Sequence, residues 1–282
     1  MNSDRSYKLG LYEKAMPNTL SWPEKLAAAK ATGFDYVEIS IDETDAKLAR
    51  LDWTAAERLE LVQQMAAAEM KIETMNLSGH RKFPLGSPDA GTRAKSLEIM
   101  EKAIRLAADL GIRIILIAGY DTYYETSTEE TRAYFAQGLA KSVEIASREG
   151  VVLAFETMET PFMNTVAKAM HYVDLIDSPY LQVFPDTGNL TNAAVEAKAD
   201  VLADLKLGAG HLAAVHVKET VPGKFREIPF GTGHVDFTAM LGLSMDMGVR
   251  RYTAEFWHVG EADWMGQLNF AASFLNARFP KS

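Results

Sequence analysis

The chain has 282 residues, 48% hydrophobic and 24% charged, with a formal net charge of −9 and no cysteine. It is long enough to bury a large core without cross-links, and the missing thiols exclude thiolate metal sites, catalytic cysteine and disulfide frameworks. The acidic balance repels a phosphate backbone and so excludes a general nucleic-acid binder, and no apolar run approaches the roughly 18 residues of a membrane span.

The opening stretch MNSDRSYKLG lacks the apolar core of a signal peptide, so 1–6 reads as a flexible N-terminus. A cysteine-free chain of this kind is expected in the reducing cytoplasm. From there strand-like runs alternate with helix-like segments: YKLGLYE (7–13), YVEISI (36–41), KIETMNLS (71–78), RIILIAGYD (113–121), VVLAFETME (151–159), LQVFPDTGN (181–189), LAAVHVKET (212–220) and RYTAEFW (251–257). Several are apolar without strict alternation, as expected of parallel strands covered on both faces.

The intervening segments are amphipathic. Ser21 before Pro23 reads as the N-cap of the first helix. In 92–110, Lys95, Glu98, Lys102, Arg105 and Asp109 form one polar stripe, while Leu97, Met100, Ile104 and Ala107 fall elsewhere. Helices end near Gly33, Gly111, Gly150 and Gly248, each followed by a strand. Eight βα units in one chain of this length predict an α/β fold, a (β/α)8 TIM barrel forming a single domain over 1–282. No G-x-G-x-x-G follows the first strand, which argues against a dinucleotide-binding open sheet.

In such a barrel the C-terminal strand ends form the active face. Strands five to eight place Glu156, Asp186, His216 and Glu255 there, each after an apolar run, at spacings of 30, 30 and 39 residues. Three buried carboxylates repel one another unless a cation joins them. Three oxygen ligands and one nitrogen suit one divalent metal ion, with Mn2+, Mg2+ and Co2+ favoured and Zn2+ within range. His171 and His211 lie before or at strand starts, away from that face, whereas His234 and His258 lie in loops on it. Two basic loops reach the same face in an otherwise acidic protein. His80, Arg81 and Lys82 follow strand three, and Lys218, Lys224 and Arg226 follow strand seven, so both are candidate sites for a small anionic substrate.

The stretches LGLYEKAMP, FDYVEISIDETD, LSGHRKFPLGS, AGYDTYYE, PDTGNL, AVHVKET and PGKFREIPFGTGHVDF, followed by AEFW, resemble the L-ribulose-5-phosphate 3-epimerase family of xylose-isomerase-like barrels. The family is also known as L-xylulose-5-phosphate 3-epimerase, with hexulose-6-phosphate isomerase as an older label. The resemblance runs over roughly 7–258. It implies a homodimer or larger homo-oligomer, a place in L-ascorbate degradation and a small phosphorylated ketose as substrate. It also implies that Glu156, Asp186, His216 and Glu255 bind the metal and that Glu156 and Glu255 form the acid–base pair. The reaction implied is inversion of carbon 3, from L-xylulose 5-phosphate to L-ribulose 5-phosphate, through a metal-stabilised enediolate. Epimerases of free ketoses carry a His three residues after the aspartate, where this chain has Asn189. Asn189 is thus a substrate-binding candidate that sets the chain apart from the free-sugar enzymes. An aldose–ketose isomerase on the same metal site and a non-catalytic sugar-phosphate binding protein are the alternatives. A metal-dependent abasic-site endonuclease is disfavoured by the charge and by the shortage of histidines on the active face.

Overall fold

The computed structural model describes residues 5–280. Strands and helices alternate as β1 Lys8–Tyr12, α1 Trp22–Ala31, β2 Tyr36–Ile41, α2 Asp45–Leu48, α3 Ala55–Ala68, β3 Lys71–Leu77, α4 Ala90–Leu110, β4 Ile114–Ala118 and α5 Glu129–Glu149. They continue as β5 Val152–Glu156, α6 Val166–Ile176, β6 Leu181–Phe184, α7 Thr187–Ala197, α8 Val201–Lys206, β7 Val215–Val217, α9 Phe237–Asp246, β8 Arg251–Ala254 and α10 Trp264–Asn276. The strands are parallel, in the order β6-β5-β4-β3-β2-β1-β8-β7. The ring closes between β6 and β7 through single bridges, Val183 to Leu212 and Asp186 to His216. This is the eight-stranded barrel expected from the alternation of elements. No helix among the described residues is long and apolar enough to cross a membrane.

The strands are shorter than the apolar runs suggested, most of all β6 and β7. Pro185 has no N–H to extend a ladder, and Asp186 already caps α7 by accepting from the Asn189 N–H at 2.6 Å. The ladder therefore stops where the chain begins to build the site.

Alternation along each strand sorts residues into two sets. Val37, Ile39, Val215 and Val217 belong with the helices in one large outer core. Ile114, Leu116, Ala154, Phe184 and Ala214 form a separate inner cluster that fills the barrel. Gly10 lets the interior close, since a Cβ there would stand 2.2 Å from the Tyr36 ring. That ring is fully buried, and its hydroxyl donates to the Tyr252 carbonyl at 3.0 Å.

The helix signals hold locally. Ser21 and Glu24 form a capping box on α1, and Gly111 ends α4 at φ 76°, where other residues are strained. On α4, Glu98 pairs with Lys95 and Lys102, and Lys102 also reaches Asp52. Of the N-terminal segment expected to be flexible, 1–4 lie outside the described residues. Arg5 is tied to Asp35 and Asn276 by hydrogen bonds of 2.7 and 2.8 Å.

Candidate functional site

Glu156 is the last residue of β5, Asp186 follows β6 by two positions, His216 is the centre of β7 and Glu255 directly follows β8. All four are buried, and one ligand atom from each lies within 4.8 Å of those of the other three. The His216 ring is the hub. Its Nδ1 stands 3.2 Å from Glu156 Oε1 and 3.3 Å from Glu255 Oε2. Phe184 meets the ring edge to face with centroids 4.9 Å apart, closing the apolar side. Lys218 adds a buried ammonium, 3.4 Å from Asp186 Oδ1 and 3.3 Å from Glu255 Oε2.

Burial raises the carboxyl of Asp186 to about 8, with the charges of Glu255 and Glu156 adding to the effect and Lys218 opposing it. Glu156 is likewise pushed up by burial and by Glu255. For Glu255 burial acts upward too, but Lys218 and His216 outweigh it and hold this carboxyl well below its usual range. Desolvation acts against the charged form of His216, yet Glu38 and then Glu255 overcome it and the imidazolium is favoured. Ligation through Nδ1 therefore requires loss of that proton.

Asp186 Oδ2 and Glu255 Oε2 are buried without a hydrogen-bond partner. Lys218 lies near Glu255 Oε2 but not in hydrogen-bonding geometry. Orphaned carboxylate oxygens at this depth are costly unless a cation meets them. The donor set and these free oxygens fit a divalent metal ion.

Above the cluster opens a small, polar-lined cavity. Glu156, Glu255, Lys218, Arg81 and Arg226 all line it. Arg81 stacks over the Tyr123 ring at 4.7 Å, donates to the Tyr120 hydroxyl at 3.3 Å and stands 3.9 Å from Glu43. Arg226 donates to Glu159 at 3.1 Å.

Four candidate contacts lie elsewhere. His80 is buried beside α4, its Nε2 3.1 Å from the Ser96 carbonyl, and burial takes it down to about 4. Lys82 is on the outer surface near Asp45, and Lys224 is exposed in its loop. Asn189 is buried under the site, donating through Nδ2 to the Thr157 carbonyl at 2.7 Å. Of the loop histidines, His234 bonds Thr220 and His258 faces Glu261, and neither lines the cavity.

Several lining residues escaped the sequence reading: Tyr12 at the end of β1 and Lys14 just after it, Asn76 on β3, Glu159 after β5 and Trp257 after β8. Beneath them Glu38 contacts His216 Nε2 at 2.7 Å. The signal for Glu38 and Asn76 was present, because YVEISI and KIETMNLS alternate. In a closed barrel the polar set of an alternating strand faces inward, toward the site. Glu219 is buried and accepts from the Gly231 and Val235 N–H groups at 2.9 and 3.2 Å, which fixes the loop that carries Arg226.

The profile of the xylose isomerase-like TIM barrel family matches residues 26–274. The chain is 46% identical to the L-ribulose-5-phosphate 3-epimerase UlaE of Salmonella paratyphi A, over 97% of this chain and 95% of that one. It is 45% identical to the protein of the same name from Shigella boydii serotype 18, with the same coverage. Among solved structures, the D-allulose 3-epimerase of Methylomonas sp. superimposes with a TM-score of 0.80 at 18% identity, covering 97% of both chains. An L-ribulose 3-epimerase superimposes at 0.76 with 20% identity, covering 96% of this chain and 94% of that one. At these identities the two structures establish the shared fold.

Proposed function

Since this chain belongs to the L-ribulose-5-phosphate 3-epimerase family of xylose isomerase-like TIM barrels, we propose that it inverts carbon 3 of a ketopentose 5-phosphate, interconverting L-xylulose 5-phosphate and L-ribulose 5-phosphate. One observation carries the reading most. Glu156 and Glu255 reach the same imidazole nitrogen from strands three places apart in the ring, and both open into one cavity.

The proton on carbon 3 is acidified by the neighbouring carbonyl, and inversion needs a base on one face and an acid on the other. Each glutamate has a second oxygen beyond the one turned to His216. One takes the proton, the other returns a proton to the opposite face, and the roles exchange with the direction of reaction. A divalent ion held by Glu156, Asp186, His216 and Glu255 supplies, when bound, a Lewis acid for the keto group. The donor set suits Mn2+, Mg2+ or Co2+, with Zn2+ also within range. Lys218, whose charge is maintained by Asp186 and Glu255 against the cost of burial, adds positive potential on the cavity floor.

Lys14, Arg81 and Arg226 bring cations to the cavity wall, and they suit a phosphate better than the surface residue Lys82 does. Arg81→Ala is expected to raise KM for the phosphorylated ketose by tenfold or more, on the order of the loss of one charged hydrogen bond, and Lys82→Ala to leave it near wild type. Equal effects in steady-state kinetics would remove Arg81 from the phosphate site. A homodimer, residence in the cytoplasm and a place in L-ascorbate degradation belong to the same reading.

The reaction is tested in deuterated water with NMR of the recovered sugar. Label at carbon 3 is expected. Label at carbon 1 would instead support an aldose–ketose isomerase on the same site, and no label with metal bound would support a binding protein.

A further inference from the structure

The geometry points to Glu38 as the positioning residue of this site: its carboxylate fixes the tautomer and the orientation of His216, so that Nδ1 presents its lone pair to the metal. This rests on the metal centre proposed above. Glu38 comes from β2, 178 residues away in sequence and three places from β7 in the ring. It is fully buried. Its Oε1 lies 2.7 Å from His216 Nε2, and its Oε2 accepts the Thr74 hydroxyl at 2.7 Å from β3. Both oxygens are thereby engaged, one on the far nitrogen of His216 and one on Thr74, and Glu38 is not among the residues that line the cavity.

The consequence follows from hydrogen-bond chemistry. An ionised carboxylate only accepts, so the nitrogen facing it must carry a hydrogen. In the neutral imidazole the lone pair then sits on Nδ1, the nitrogen that faces Glu156 and Glu255. A carboxylate behind a metal-ligating imidazole fixes the ring and raises its basicity. The Thr74 hydroxyl holds the carboxylate in turn, so two neighbouring strands brace a ligand on a third. Glutamine in place of Glu38 offers both a carbonyl and an amide. It fits the same space but no longer dictates which imidazole nitrogen bears the hydrogen.

The test is titration of the metal-free full-length protein with Mn2+, following free Mn2+ by electron paramagnetic resonance, for wild type, Glu38→Gln and Thr74→Val. The visible spectrum of the Co2+ forms reports the ligand field at the same time. Glu38→Gln is expected to weaken Mn2+ binding by about 10- to 100-fold and to shift the Co2+ bands, with the far-ultraviolet circular dichroism unchanged. Thr74→Val, which keeps the carboxylate but frees one oxygen, is expected to weaken binding by a smaller factor. It decides the matter if Glu38→Gln does not fold. Wild-type Mn2+ affinity in both folded variants overturns the inference, as does a lower melting temperature of metal-free Glu38→Gln with its Mn2+ affinity intact. Failure of the wild-type protein to bind Mn2+ would remove the metal centre itself, which is a different result.

Discussion

Glu156→Gln is expected to lower epimerisation by about 10³-fold in both directions, within the usual range for loss of a general acid or base. An amide of nearly the same shape keeps an oxygen for ligation but cannot carry the proton. Turnover alone does not separate this from damage to the site, so the informative readout is solvent exchange. With Glu255 intact, the variant retains one proton acceptor, on one face of the substrate. It is therefore expected to exchange the carbon-3 hydrogen of one epimer with deuterated water, without inversion, and to leave the other epimer untouched. Glu255→Gln is expected to show the mirror pattern. Exchange of both epimers by a single variant would mean that one residue serves both faces. Near-normal turnover by Glu156→Gln with Mn2+ bound would end the assignment. The surroundings already distinguish the two carboxyls, one pushed up by burial and the other held down by Lys218 and His216. Divergent surroundings of this sort are how paired carboxylates take different roles.

The four clustered side chains were legible because each ends an apolar run at nearly the same depth. A barrel converts equal depth on consecutive strands into proximity in space. What surrounds them was harder to read. His80, Arg81 and Lys82 are adjacent in sequence, but the single turn Gly79–Arg81 sends them three ways: His80 under α4, Arg81 into the cavity and Lys82 to the outer surface. Charge composition cannot resolve directions that change residue by residue. Asn189 looked like a contact residue by its place after Asp186, but the first turn of α7 rotates it beneath the site, toward the Thr157 carbonyl. Glu38 and Glu13 were missed for other reasons. An acidic residue among apolar ones in a strand, such as Glu38, ordinarily marks a solvent face, and only closure of the sheet turns that face inward; Glu13 follows β1 and instead meets Lys25, Lys47 and Arg50 from the first helical segments. The partners of both residues are far away in sequence, 178 residues from Glu38 to His216 and 37 from Glu13 to Arg50. Neither pairing leaves a local pattern to read.

Glu13→Gln is expected to cost about 3–5 kcal/mol of folding stability, the range for breaking a buried ion pair by removing one partner. Glu13 is fully buried. Arg50 grips both its oxygens, at 2.5 and 3.0 Å, Lys25 stands at 3.1 Å, Lys47 pairs with Oε1, and the Ser40 N–H donates at 2.8 Å. One anion thus serves three cations. Burial by itself would raise the Glu13 carboxyl, but Arg50, then Lys47 and Lys25, carry it down to about 2. For Lys47 the balance falls the other way: desolvation, with repulsion from Arg50 and Lys25, outweighs the attraction of Glu13 and brings the ammonium to about 8. The signs give two pH windows. The folded state holds Glu13 ionised below its usual 4.5, so its contribution is complete above that value and is lost as pH falls toward 2. Lys47 releases its proton in the fold between about 8 and its usual 10.5, where the unfolded chain still holds one, so stability rises with pH there. Urea unfolding of wild type and Glu13→Gln across both windows should show the acid-side slope shrink in the variant. Adding Lys47→Met to Glu13→Gln should recover part of the loss, because it removes one of the cations left uncompensated. The cluster also bears on the site, since Lys14, the next residue, pairs with Asp42 at 2.5 Å and lines the cavity. A loss below about 1 kcal/mol, the scale of an exposed pair, would mean that water reaches these cations and that Glu13 does not hold the first loop of the barrel in place.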